Sequence, residues 1–126
     1  MTTFERKPRK IKLSAFMMMD GNYHLAGWRL PNSYADAGHN IARWVEFARI
    51  LERAKFDMLF IADLVSPLGV DHPESMSHAA RSLGFEPITL MSALSMTTSR
   101  LGLAATATTT WNEPYNLARM FASLDH

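Results

Sequence analysis

Ile11 to Met18 form a nearly unbroken apolar run of strand length, the pattern of a strand buried on both faces of a parallel sheet. A loop longer than a simple connection follows from Asp20 to His39, broken by Gly21, Gly27, Pro31 and Gly38. Asn40 is suited to cap a helix in which Ile41, Trp44, Val45, Ala48 and Leu51 recur at helical spacing, with Arg43, Glu46, Arg49, Glu52 and Arg53 on the other side. Met58 to Ala62 read as a second apolar strand, ended by Asp63, and a second long loop carries Pro67, Gly69, Pro73 and Gly84 to Phe85. Glu86 and Pro87 suit the first turn of a helix that continues to Thr98. Leu101 to Thr108 are the third predicted strand. Asn112-Glu113-Pro114 then repeat the start signal for a helix with Leu117, Met120, Phe121 and Leu124 on one face.

Strand and helix alternating three times imply parallel strands joined by crossovers, which fits an open doubly wound sheet or part of an eight-stranded barrel. No G-x-G-x-x-G follows the first strand, which favours the barrel. The expected fold class is α/β, the N-terminal three βα units of a (β/α)8 TIM barrel, incomplete in this chain. Residues 1–10 read as a basic N-terminal arm and 11–126 as the barrel portion. Because LDH at Leu124 to His126 stops without glycine, proline or a polar tail, the chain reads as a piece of a longer protein, inactive by itself.

Composition narrows the function classes. The 126 residues are 48% hydrophobic and 20% charged, ordinary for a soluble domain, and the formal charge of +1 argues against electrostatic capture of nucleic acid. The basic cluster Arg6, Lys7, Arg9, Lys10 and Lys12 reads as a solvated arm. With no cysteine, disulfides, thiolate metal sites and a cysteine nucleophile are excluded within these residues, and a reducing, cytoplasmic setting is compatible. The run from Ile11 to Met19, interrupted by Lys12, is too short to span a membrane. Met17, Met18 and Met19 read as core filler.

Candidate chemistry gathers at the carboxyl ends of the strands, where barrel enzymes carry their sites. Along the third strand, alternation puts Gly102, Ala104, Thr106 and Thr108 on one face, with Thr109 pointing away. Small residues on that face leave room for a planar ligand, and the hydroxyls could bond its polar atoms; a β-branched strand end merging into a turn has the same pattern. Asp63, at the mouth of the second strand, either holds a ligand donor or caps a loop. Trp28 and Trp111 could wall a pocket or simply pack. His24, His39, His72 and His78 form no compact ligand set, Asp36 with His39 adds little, and no metal is expected. Hydrolase elbow, P-loop and paired-carboxylate signatures are absent, which leaves any catalytic residue unassigned.

FDMLFIAD at Phe56 to Asp63, the stretch from Glu86 to His126 containing ATATTTWNEPY, and the earlier IKLSAFMM and GWRLP resemble the N-terminal part of one family. That family is the bacterial-luciferase-like FMN-dependent monooxygenases, the group of nitrilotriacetate monooxygenase component A, dibenzothiophene-sulfone monooxygenase and long-chain alkane monooxygenase. The resemblance implies a barrel in which reduced FMN and dioxygen give a flavin hydroperoxide that oxygenates a small organic substrate. It further implies a separate NADH-dependent flavin reductase as partner and a possible homo-oligomer at full length. By resemblance, Asp63 matches a flavin-contacting aspartate, Thr106 a hydroxyl residue beside the flavin ring, and Thr108 a position often serine or threonine. His24 lies in a loop that often lines the substrate pocket, and Trp111 stands where the family usually has tyrosine. Two other readings fit parts of the pattern: a non-catalytic αβ interaction module, or a related barrel using the deazaflavin F420.

Overall fold

In the computed structural model, which describes residues 10–18, 26–66, 71–78 and 83–126, strands β1 (Ser14–Met17), β2 (Met58–Ile61) and β3 (Gly102–Ala105) lie side by side in chain order. Both pairings are parallel, with Phe16 opposite Phe60 and Phe60 opposite Ala104. Parallel neighbours need a crossover. Helix α1 (Ile41–Arg53) stands between β1 and β2; α2 (Pro73–Ser77) and α3 (Pro87–Ser95) stand between β2 and β3; α4 (Pro114–Asp125) follows β3. The short α2 interrupts what the sequence pattern had as one long loop.

The core lies between the sheet and the helices. Leu59 and Ile61 of β2 are fully buried against Trp44 and Ala48 of α1 and Leu90, Met91 and Leu94 of α3, with Ala15, Met17, Leu103 and Ala105 packed around them. Met17 is thus core filler, as expected. The opposite face carries Phe16 and Phe60, whose ring centroids are 5.4 Å apart, yet Phe16 remains 50% exposed. The apolar run of β1 is therefore buried on one face rather than two among the described residues; in a closed barrel the second face is the interior.

Local chemistry explains the ends of the elements. The Asn40 side chain accepts the Ala42 N–H at 3.0 Å and caps α1. Ile41 departs from the expected stripe, at 41% exposed on the outer surface, while Phe47 packs on the core and meets Trp44 edge-on. At the other end, Phe56 N–H bonds the Leu51 carbonyl and Lys55 N–H the Glu52 carbonyl, with Lys55 at φ 62°. This is a Schellman ending, and both Leu51 and Phe56 pack on the core. Glu86 caps α3 with both carboxylate oxygens, accepting from Ile88 and Thr89, and Pro87 occupies the first helical position. Helix α3 ends at Ser95, short of Thr98, because Thr97 and Thr98 turn their hydroxyls back onto the Leu94 carbonyl.

Two carboxylates fasten the amino ends of the strands. Asp57 accepts from Lys12 Nζ at 2.6 Å and from the Leu13 N–H at 3.0 Å, which hold its carboxyl below the usual aspartate range. Lys12 is therefore an anchor at the start of β1 and not part of a freely solvated arm, although its side chain stays 75% exposed. Glu52, on α1, gathers the N–H groups of Ser99, Arg100 and Leu101 at 2.7, 2.6 and 3.3 Å. Those bonds, from Ser99 and Arg100 first, hold its carboxyl below the usual glutamate range.

Candidate functional site

β3 stops at Ala105, but the Thr106 N–H still bonds the Ile61 carbonyl at 3.0 Å, so the ladder fixes Thr106 at the mouth beside the end of β2. The chain then turns from Thr106 through Asn112 into α4. Opposite it, Asp63, Leu64 and Val65 leave β2, and the capped start of α3 closes the third side. These segments enclose an open cavity of about 390 Å³ whose lining includes Asp63, Glu86, Thr106, Thr108, Trp111 and Asn112.

Four of the sequence-derived site residues thus meet in one place. Asp63, Thr106 and Thr108 are each half-buried, and Trp111, 72% exposed, forms part of the rim. Thr109 is exposed and outside the lining, but Ala107 lines the cavity together with Thr106 and Thr108: β3 ends at Ala105, short of the expected Thr108, so alternation no longer sorts the side chains there. His24 falls outside the described residues. Trp28 does not join the cavity: its Nε1–H donates to the His78 carbonyl at 3.2 Å, tying the first mouth loop to the second. Arg29 lies over the Trp28 ring and meets His78 Nδ1 at 3.3 Å.

The hydrogen bonding of the lining separates structural groups from available ones. Glu86 spends both oxygens on α3, and the Asn112 side-chain amide donates to the Thr108 carbonyl at 2.9 Å. The Asp63 carboxylate and the Thr106 and Thr108 hydroxyls have no partner among the described residues. The Asp63 carboxylate, facing the open cavity with its acceptor oxygens unused by the described residues, is free to take a donor from a bound molecule. Leu64, Val65, Ile88, Ala107 and Met120 add apolar lining to the same cavity. Together the parts suit a ligand with an apolar body and hydrogen-bonding edges.

Other clusters have structural uses. Asp36 accepts from Asn40 and from Arg43 Nε, and the Asn40 bond first, then Arg43, keeps its carboxyl below the usual range. Arg43 also stacks over Tyr34, so the Asp36 cluster braces the start of α1. Among the described residues no group of three or more His, Cys, Asp or Glu could hold a metal ion, and no helix is long and apolar enough to cross a membrane. A larger groove, about 710 Å³, runs between α3 and α4 past Ser92, Met96, Arg119 and Ser123. The smaller cavity is the stronger candidate because it lies at the carboxyl ends of the parallel strands, where barrel folds carry their sites.

Sequence reasoning assigned Asn112 and Glu86 only to helix starts and overlooked them as cavity walls. The signal was present, since a residue at or just before the start of a helix that follows a barrel strand lies at the mouth.

The sequence profile of luciferase-like monooxygenases matches residues 23–126. N-acetyl-S-(2-succino)cysteine monooxygenase of Bacillus subtilis is 46% identical over 120 residues, covering 95% of this chain and 26% of the relative. Among solved structures, DmoA from Hyphomicrobium sulfonivorans is similar with a TM-score of 0.82 at 33% identity, over 94% of this chain and 26% of that one. A riboflavin lyase solved with modified FMN and riboflavin gives 0.83 at 29% identity, over 94% of this chain and 27% of that one. The chain therefore spans about a quarter of the length of these relatives.

Proposed function

The chain belongs to the luciferase-like monooxygenase family, and on that premise we propose that it supplies the first part of an FMN site in a two-component monooxygenase with a (β/α)8 barrel fold. The observation that carries this reading is the convergence of three unpartnered groups, the Asp63 carboxylate and the Thr106 and Thr108 hydroxyls, on one cavity at the strand ends. The carboxylate is an acceptor and suits an N–H or a ribityl hydroxyl of the flavin; the two threonines can donate to ring oxygens or nitrogens. Leu64, Val65, Ile88 and Met120 give the cavity apolar surface against which a ring system can pack.

Bound there, reduced FMN would supply the two electrons for dioxygen activation, one oxygen atom going to a small organic substrate and the other leaving as water. What remains for the protein is binding, orientation and exclusion of water, which explains why no nucleophile or metal motif occurs among these residues. Asp63, Thr106 and Thr108 orient the cofactor. Trp111, an exposed aromatic on the cavity rim, contributes an apolar wall where substrate approaches. The reduced cofactor comes from a separate NADH-dependent flavin reductase, and the cysteine-free sequence accords with a cytoplasmic setting.

The test is a titration of the whole protein with FMN and, separately, with deazaflavin F420, followed by oxygen consumption in the presence of NADH and a flavin reductase. Saturable FMN binding with reductase-dependent oxygenation of a substrate is expected. Binding of F420 in preference to FMN, or of neither, would overturn the reading.

A further inference from the structure

We propose that Asn112 is a positioning residue of this flavin site, acting through Thr108; the inference rests on the flavin reading above. The last sheet bond on this side of β3 is from the Thr106 N–H to the Ile61 carbonyl. Beyond it, the next tie among the described residues is the Asn112 side-chain amide donating to the Thr108 carbonyl at 2.9 Å. A side-chain donor here does what a backbone donor does in a regular turn, closing the segment from Thr108 to Asn112.

The far side of that turn is already fixed. Pro114 holds the first position of α4, Leu117 N–H bonds the Glu113 carbonyl, and the Glu113 side chain makes no capping bond. Asn112 is thus the side-chain link that sets Thr108 against the start of α4, and both residues line the cavity with Asp63 and Thr106. Thr106 needs no such help because the ladder holds it. Thr108, two residues farther out, has its carbonyl pinned by Asn112, which fixes the backbone from which its hydroxyl projects.

Asn112→Asp in the whole protein separates positioning from simple structural support. The side chain keeps its shape, but a carboxylate cannot donate to the Thr108 carbonyl, while an acid beside the start of α4 is favoured by the helix dipole. The melting temperature should stay the same or rise, and FMN, titrated oxidised and dithionite-reduced by its fluorescence and absorbance, should bind roughly three- to tenfold more weakly. Thr108→Val should weaken FMN binding as well, and the double variant should bind no more weakly than Thr108→Val alone, because the tie matters only through the hydroxyl it aims. Additive losses, an unchanged affinity in Asn112→Asp, or a melting temperature that falls in step with affinity would each overturn the proposal. If the unsubstituted protein fails to bind FMN, the flavin reading falls with it; if it binds and the variants do not respond, only the role of Asn112 falls.

Discussion

The backbone oxygen of Asp57 lies 2.8 Å from the point where a Cβ on Gly102 would stand, and the same oxygen accepts the Gly102 N–H at 2.9 Å. Glycine is needed here for close approach: β3 begins by seating its backbone directly on the residue just before β2. The Asp57 side chain meanwhile holds Lys12 and Leu13, so one residue joins all three strands at their amino ends.

Gly102→Ala should therefore lower stability by about 1–3 kcal/mol, the usual cost of overpacking, because the obstructing atom is backbone and cannot swing aside. Urea unfolding measures this directly. A midpoint equal to that of the parent would show that the strands can part without loss.

Lys55→Gly should have the opposite effect. Lys55 is in the left-handed region at φ 62°, which costs a residue with a Cβ about 1 kcal/mol. Thermal melts should show stabilisation of that order, and Lys55→Val should be destabilised by comparison with both. If all three melt together, the α1 ending carries no strain.

Glu52 predicts a pH dependence. Its folded-state pKa is depressed by the Ser99, Arg100 and Leu101 N–H groups, so its contribution to stability is fully present above the unfolded glutamate value and is lost as pH falls through the lower folded value. In Glu52→Gln the acid side of the stability profile should be flatter than in the parent. Asp36 and Asp57, also depressed, should keep the variant sensitive to acid. Parallel acid limbs for parent and variant would sink the assignment.

Asp63→Asn, Thr106→Val and Thr108→Val should each weaken FMN binding, by roughly tenfold or about 1.4 kcal/mol, with melting temperatures close to the parent's. The separation is expected because none of the three side chains has a partner among the described residues to lose. Calorimetry with FMN and a thermal melt of each variant check both halves. Destabilisation without a change in binding would mark these groups as structural.

Features set by neighbouring residues were legible in the sequence. Asn40 and Glu86-Pro87 announced their helices because capping uses bonds two or three residues long, and Asp63, Thr106 and Thr108 could be brought together because parallel topology sets the carboxyl ends of β2 and β3 side by side. What stayed hidden joins distant residues: Glu52 to Ser99 and Lys12 to Asp57 look like ordinary surface charges until the chain is folded. Ile41 fell outside the buried stripe and Phe47, assigned to neither side, joined the core, because apolar spacing identifies a stripe on a helix but not how the helix is rotated over the sheet. Glu113-Pro114 shows a further limit, since it repeats the letters of Glu86-Pro87 without the side-chain cap.

The strand register also bears on how the chain acquires its structure. Ser14 pairs with Met58 and Met58 with Gly102, the same interval twice, so no sheet bond forms until a complete strand–helix passage has been closed. Closing such distances costs entropy before any contact repays it, and folding rate falls as the sequence separation of contacts rises. Folding should start in the capped helices, with β2 the last common partner: until it is in place, neither β1 nor β3 has an edge to join.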